Sequence, residues 1–208
     1  LFSFFAFCYN SVISLSFTLI SFDRIFCVYK KICFKEGMYK PQLPSAVRRV
    51  PMKTVVLLYP TSCIYEIVIL NYFLHFAGKE VLFVSPDGTP ITAMEGYSIN
   101  VSGKLTDIAP DEIELAIVPG GNIKAIDNPI VWNCLKDIKS RGGILAAICA
   151  GVDVLDHAGI LDGVVSTHSS DLDVAVTDQV ITSRANGYVD FAIEVAKKMN
   201  LFQDEADL

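Results

Sequence analysis

The stretch "ILAAICAGVDVL", residues 144–155, runs from aliphatic residues through a single cysteine into a helical pattern. The aliphatic run is typical of a strand buried on both faces, and the mixture of apolar and polar residues after Cys149 indicates a helix. A residue on such a sharp strand-to-helix turn adopts a strained backbone, so its neighbours two positions away must be small. Ala147 and Gly151 meet this requirement. We therefore predict that Cys149 lies on a nucleophile elbow.

Buried strands and helices alternate on both sides of this stretch. Such alternation predicts an α/β fold, in which helices cover both faces of a mainly parallel sheet. Strands are predicted over 54–59, 80–85, 114–118 and 144–149, short strands and turns over 86–110, and a hairpin over 173–183. Helices are predicted over 63–78, 128–143, 151–161 and 188–200.

Three features of the sequence follow predicted strands and fall at the same edge of the sheet. They are the loop after residues 54–59, the pair Gly120–Gly121, and Cys149. Ligands of open parallel sheets bind beyond the carboxyl ends of the strands. We therefore expect these groups to converge on one site.

The composition limits the classes of function. A net charge of −6 with 19% charged residues fits an acidic globular domain and argues against a nucleic-acid partner. After Met52 the cysteines are Cys63, Cys134 and Cys149, without a CxxC pair, so neither a disulfide framework nor a metal site is predicted. This cysteine usage fits a reducing, cytoplasmic location best.

Residues 1–51 differ from the rest of the chain. Residues 1–22 carry no charge, and basic residues follow them, as in a membrane anchor. The segment is also rich in Phe and Ser and has no small-residue cleavage site. We expect it to be non-native or untranslated upstream sequence before a start at Met52, with a membrane anchor as the alternative. The working domain is then 52–208.

The position of Cys149 before a helix predicts a reactive thiol. Unpaired N–H groups and the positive end of the helix dipole should lower the pKa of the thiol. The alternative is a buried core cysteine, because free cysteine is among the most buried residue types. From the local sequence alone, both interpretations stay open.

Four short motifs carry a family resemblance. The stretches "VPGGN" (118–122), "AAICAG" (146–151), "STH" (166–168) and "VITSRA" (180–185), in this order and spacing, resemble the ThiJ/PfpI family of the class I glutamine amidotransferase-like superfamily. Within it, the chain is most similar to the branch that contains the parkinsonism-associated protein deglycase. The resemblance implies a flavodoxin-like sandwich, commonly a homodimer, and covers residues 53–200.

The resemblance also implies site residues. Cys149 matches the elbow cysteine, Glu66 the glutamate of the first helix, and His168 a histidine near the cysteine. The turn Gly120–Gly121 and Ala150 match the positions whose backbone N–H groups hold an oxyanion. Glu66 is surrounded by apolar residues, so burial should raise its pKa and make it a neutral donor to the thiolate or a proton carrier.

The implied activity is a cysteine-dependent, cofactor-free conversion of small reactive carbonyls, such as methylglyoxal to lactate, in the manner of a glyoxalase or deglycase. Ala150 replaces the histidine that follows the cysteine in the protease-like branch, so a protease triad is not expected. One alternative is a non-enzymatic redox sensor or chaperone-like stress protein in which Cys149 becomes a sulfinate. Another is an isonitrile hydratase or amidase-like hydrolase.

The expected partners are a small carbonyl substrate and a second copy of the chain. The first predicted helix is apolar on more than one side, with Tyr72 and Phe76 outside the main apolar face. We expect that surface to form a homodimer contact. No membrane partner is expected for the working domain.

Overall fold

The computed structural model describes residues 52–202, in which two sheets and four α-helices are found. The strands are β1 Lys53–Leu57, β2 Val81–Ser85, β3 Ile91–Thr92, β4 Ser98–Ile99, β5 Gly103–Lys104, β6 Ile113–Val118, β7 Ile144–Ile148, β8 Val174–Val176 and β9 Val180–Ser183. The helices are α1 Val68–Phe76, α2 Pro129–Ser140, α3 Gly151–His157 and α4 Tyr188–Lys198. The predictions for residues 1–51 lie outside the described residues.

The main sheet has the strand order β5-β2-β1-β6-β7-β9-β8. All its neighbouring strands are parallel except β8 and β9, which pair antiparallel as the predicted hairpin. The strands β3 and β4 form a separate antiparallel pair. The order places the ends of β1, β6 and β7 side by side, so the three predicted groups lie at one edge of the sheet.

Helices cover both faces of the main sheet. Successive residues of a strand point to opposite faces, so each central strand contributes side chains to both layers. Val55 and Leu57 pack into the core that contains residues of α2 and α3. Val56 and Leu58 pack into the core that contains residues of α1 and α4. These observations confirm the predicted flavodoxin-like sandwich.

The first predicted helix is divided into two parts. A 3₁₀ turn, Tyr65–Ile67, precedes α1. Ile67, the last residue of this turn, has φ −121° and ψ 2°, outside the helical region. The uniform apolar run could not reveal this break, since hydrophobicity does not report backbone dihedrals. Glu66 therefore lies in the tight turn and not in α1.

The helix α3 ends at His157, four residues before the predicted end. Gly159 adopts φ +68°, and the Ile160 N–H donates to the carbonyl of Leu155 at 2.9 Å. This is a glycine-containing helix stop, which glycine allows at little steric cost. Among the four described α-helices, none is both long and apolar enough to cross a bilayer.

Candidate active site

Cys149 lies between β7 and α3 in the backbone conformation that the sequence predicts for an elbow. Its φ is +55°, which is uncommon for a residue other than glycine. Its N–H donates to the carbonyl of Ser183 at 2.8 Å, which ties the turn to the end of β9. A Cβ at Gly151 would lie 2.8 Å from the carbonyl oxygen of Pro119 and would contact that of Val118 even more closely. Glycine is therefore required there.

Gly120 brings the thiol and the carboxyl group together. Its N–H donates to Oε2 of Glu66 at 2.8 Å. A Cβ at Gly120 would lie 2.7 Å from both the Cys149 Cβ and the Glu66 Oε2, and 3.0 Å from Sγ of Cys149. The absence of a side chain at this position thus allows three elements, β6, the 3₁₀ turn and the elbow, to meet.

Glu66 is a buried carboxylic acid, with 6% of its surface exposed. Burial raises the pKa of Glu66, and the negative charge of Glu95 acts in the same direction. Hydrogen bonds from the Gly120 N–H and the Cys149 thiol oppose this rise. The direction agrees with the one expected from its apolar neighbours, and it makes the neutral acid accessible closer to neutral pH.

The predicted lowering of the Cys149 pKa is wrong. Burial raises the pKa of Cys149, and the charges of Glu66 and Asp153 raise it further, while the Ala150 N–H opposes them. The prediction considered only the helix N-terminus and left out the two acidic neighbours of the thiol, Glu66 and Asp153. The charge of Glu66 disfavours the Cys149 thiolate, whereas the Cys149 thiol favours the Glu66 carboxylate, so the pair favours a single negative charge, on Glu66.

The predicted oxyanion donors differ in their availability. The Gly120 N–H is already engaged by Glu66. The Ala150 N–H points to the Cys149 thiol. Gly121 has φ +137°, and a Cβ added to Gly121 would lie 2.9 Å from the Cα of Ser62. Gly121 and Ala150 are therefore the better candidates for stabilising an oxyanion on a substrate bound to Cys149.

His168 is placed against α3. Its Nε2 lies 3.2 Å from Oδ1 of Asp153, and its Nδ1 lies 3.5 Å from Oδ2 of Asp156. Its side chain is 36% exposed, in contrast to the buried Glu66. The structure thus brings Cys149 and Glu66 together at Gly120, whereas the side chain of His168 contacts the α3 carboxyl groups.

Two residues near the thiol were not singled out from the sequence. The Cys63 N–H donates to the carbonyl of Gly120 at 2.8 Å, and its Sγ lies 3.5 Å from Oε1 of Glu95. The same Glu95 oxygen accepts the N–H of Tyr65 at 2.7 Å. The position of Cys63 in the loop after β1 could have indicated it. Glu95 comes from the turn between β3 and β4, and no sequence signal links it to the site.

No resident metal is indicated by the described residues. Within 52–202, no group of three or more His, Cys, Asp or Glu side chains is arranged to hold a metal ion. The site itself presents a thiol, a protonatable carboxyl group and backbone N–H donors.

The comparison with known sequences agrees with the geometry. The model of the DJ-1/PfpI family matches residues 52–198. The glutathione-independent glyoxalase DJR-1.2 of Caenorhabditis elegans is 27% identical over 150 residues, which cover 64% of this chain and 81% of the relative. A deglycase of Pyrococcus abyssi is 32% identical over 106 residues, 47% of this chain and 60% of the relative.

Solved structures share the fold. A DJ-1 superfamily protein of Agrobacterium tumefaciens superposes with a TM-score of 0.69 at 22% identity, over 75% of this chain and 94% of that protein. DJ-1beta of Drosophila melanogaster superposes with a TM-score of 0.63 at 24% identity, over 74% and 92% of the respective chains. With the family match and the elbow geometry, the chain belongs to the DJ-1/PfpI family.

Proposed function

We propose that the protein is a cofactor-independent enzyme in which Cys149 adds to a small reactive carbonyl compound such as methylglyoxal. The observation that carries the proposal is that the Glu66 carboxyl group and the Cys149 thiol meet at Gly120, whose N–H holds the carboxyl group in place. The relatives named glyoxalase and deglycase support the same class of chemistry.

In the proposed first step, the Glu66 carboxylate takes the proton of the Cys149 thiol. The raised pKa of Glu66, caused first by burial, makes this carboxyl group a better proton acceptor than an exposed one. The thiolate then attacks the aldehyde carbon, and the N–H groups of Gly121 and Ala150 stabilise the oxyanion. The product of this step is a hemithioacetal.

For methylglyoxal, the next steps move a proton from the former aldehyde carbon to the neighbouring carbon and leave a lactoyl thioester on Cys149. Water then hydrolyses the thioester to lactate and frees the thiol. Glu66 is the nearest carboxyl group able to carry the proton. His168, held by Asp153 and Asp156, is the second proposed proton carrier.

The test compares methylglyoxal loss and lactate formation by the wild-type chain, Cys149→Ser and Cys134→Ser. Cys134 lies on α2, a different element, and provides a matched control for loss of a half-buried thiol. We expect Cys149→Ser to fall to the uncatalysed rate while Cys134→Ser retains activity. Equal rates for wild type and Cys149→Ser would exclude the mechanism.

The second candidate function is a redox sensor based on the same thiol. The favouring observation is that Glu66, once protonated, can donate a hydrogen bond to an oxidised Cys149. The expected result is selective oxidation at Cys149 under mild peroxide, measured by mass spectrometry, in a protein without carbonyl turnover. Turnover that depends on Cys149 would favour the enzyme instead.

We also propose that the domain forms a homodimer through α1. The exposed apolar side chains on this element recur along one face, and Tyr72 stacks on Phe76 with ring centroids 6.2 Å apart. Phe76 is 82% exposed, which is unusual for a phenylalanine on a surface without a partner. Sedimentation at micromolar concentration should give a dimer for the wild type and a monomer for Phe76→Glu. A monomeric wild type would contradict the proposal.

A further inference from the structure

Cys149 is one of two thiols at the site. Both cysteines adjoin Gly120: the Cys63 N–H donates to the Gly120 carbonyl at 2.8 Å, and a Cβ on Gly120 would lie 3.0 Å from Sγ of Cys149. The Gly120 N–H holds the Glu66 carboxyl group beside them, and the charge of Glu66 acts on both thiols. Both cysteines are half-buried, so neither is closed off from small solutes. Two thiols thus share one carboxyl group and one glycine.

The surroundings of Cys63 supply a base for its thiol. Oε1 of Glu95 lies 3.5 Å from Sγ of Cys63 and can accept the S–H proton. Glu95 also accepts the N–H of Tyr65, and hydrogen bonds of this kind lower the pKa of Glu95 despite partial burial. Burial and the charge of Glu66 raise the pKa of Cys63 to about 11, so Cys63 is a thiol at neutral pH. A base must therefore take the Cys63 proton when the sulfur of Cys63 acts as a nucleophile.

We propose that Cys63 is a resolving cysteine, which forms an intramolecular disulfide with Cys149 after a hydroperoxide has oxidised Cys149. The juxtaposition of both thiols at Glu66 and Gly120, with Glu95 on Cys63, is the observation that carries this inference. It rests on Cys149 being the reactive thiol of the proposed function, and it does not require that carbonyl compounds be the substrate.

The reaction has two balanced steps. First, the Cys149 thiolate attacks one oxygen of the hydroperoxide; an S–O bond forms, the O–O bond breaks, and the leaving oxygen takes a proton to become an alcohol or water. Sulfur is oxidised by two electrons, and the peroxide is reduced. The product is a sulfenic acid on Cys149.

In the second step, Sγ of Cys63 attacks Sγ of Cys149, and Glu95 takes the Cys63 proton. The S–S bond forms, the S–O bond breaks, and hydroxide leaves with a proton from Glu66 as water. A disulfide needs Cα atoms about 4.4–6.8 Å apart, so the loop that carries Cys63 and the elbow must reach this separation as the bond forms. The disulfide prevents oxidation to the irreversible sulfinate and blocks Cys149 until a dithiol reduces it.

The experiment treats the reduced full chain with hydrogen peroxide, alkylates free thiols, and maps peptides by mass spectrometry without reduction. We expect a peptide linked between Cys63 and Cys149, with the loss of two hydrogens, on a monomer-sized band in a non-reducing gel. Cys63→Ser should lack this peptide and accumulate sulfinate on Cys149, while Cys134→Ser should behave like the wild type. Accumulation of Cys149 sulfinate in the wild type without the linked peptide overturns the proposal, as does a linkage found only between two chains.

A second variant tests the base without removing a thiol. In Glu95→Gln an oxygen remains to accept the Tyr65 N–H, but the proton acceptor for Cys63 is lost. We expect the conversion of the Cys149 sulfenic acid to the disulfide to slow by about 100-fold, the lower end of general base effects, measured relative to sulfenic acid formation in the same variant. An unchanged disulfide rate removes Glu95 from the mechanism.

The two proposals can fail separately. Methylglyoxal turnover by the reduced wild type, measured in the same preparation, tests the carbonyl reaction alone. If the disulfide forms without turnover, the enzyme proposal fails and the resolving role stands; turnover without the linked peptide gives the reverse result.

Discussion

The two flanks of Cys149 are built in different ways. On one side, Glu66 is buried in a 3₁₀ turn and held by the N–H of Gly120. On the other side, His168 is held by Asp153 and Asp156 at the surface of α3. Packing fixes the first flank, whereas partly exposed side-chain contacts, which contribute about 0–1 kcal/mol each, hold the second. The comparison indicates that the geometry around the thiol depends mainly on the buried flank.

The largest effect should come from Glu66→Gln. The amide keeps an oxygen for the Gly120 N–H but cannot take the Cys149 proton. We expect kcat for methylglyoxal to fall by about 100-fold to 10,000-fold, the range of general acid–base catalysis. Glu194→Gln on α4 is the matched control, since Glu194 pairs only with Lys197 at the surface. A wild-type rate in Glu66→Gln would remove Glu66 from the proposed mechanism.

Gly120→Ala should damage the same flank through sterics. The new Cβ would lie 2.7 Å from both the Cys149 Cβ and the Glu66 Oε2. We expect about a 100-fold loss of activity and about 1–3 kcal/mol of stability, measured by steady-state kinetics and urea unfolding. Gly163→Ala is the control. Gly163 has φ +70°, but no atom lies within 4 Å of a Cβ added there, so this substitution adds only backbone strain. Similar kinetics in both variants would contradict the close contact.

The raised pKa of Glu66, caused first by burial, predicts a dependence of stability on pH. Between its unfolded value of about 4.3 and its higher folded value, the folded state binds more protons, so stability falls as pH rises through this window. Glu66→Gln should lose this contribution. The difference in unfolding free energy, variant minus wild type, should increase from pH 4 upward and then level off. A difference that does not vary with pH would mean that burial leaves the Glu66 pKa unshifted.

The smallest effect should come from the exposed flank. Burial first, then Glu66, then Asp153 raise the pKa of Cys149, so Asp153→Asn should lower that pKa slightly. The pH profile of Cys149 alkylation by iodoacetamide should move to lower pH, with stability within about 0.5 kcal/mol of wild type. Asp162→Asn provides a surface control beyond α3. If Asp153→Asn moved the profile as far as Glu66→Gln does, the distinction between the flanks would fail.

Most of the fold was accessible from the sequence. The aliphatic strands and the hairpin over 173–183 were predicted because hydrophobic periodicity acts locally. The break before α1 was not predicted, since an apolar run does not encode the dihedral angles of Ile67. The proximity of Glu66 and Cys149 was expected from the family resemblance.

The sequence by itself determined the elbow, because the small residues around Cys149 and the strand-to-helix pattern are local properties of residues 144–155. Only the tertiary structure decided which charges surround the thiol. Glu66 reaches the site from the 3₁₀ turn and Asp153 belongs to α3, and burial together with these two charges raises the pKa that the helix terminus alone would lower. Electrostatic energies depend on distances between elements and on burial, and no local pattern contains those quantities.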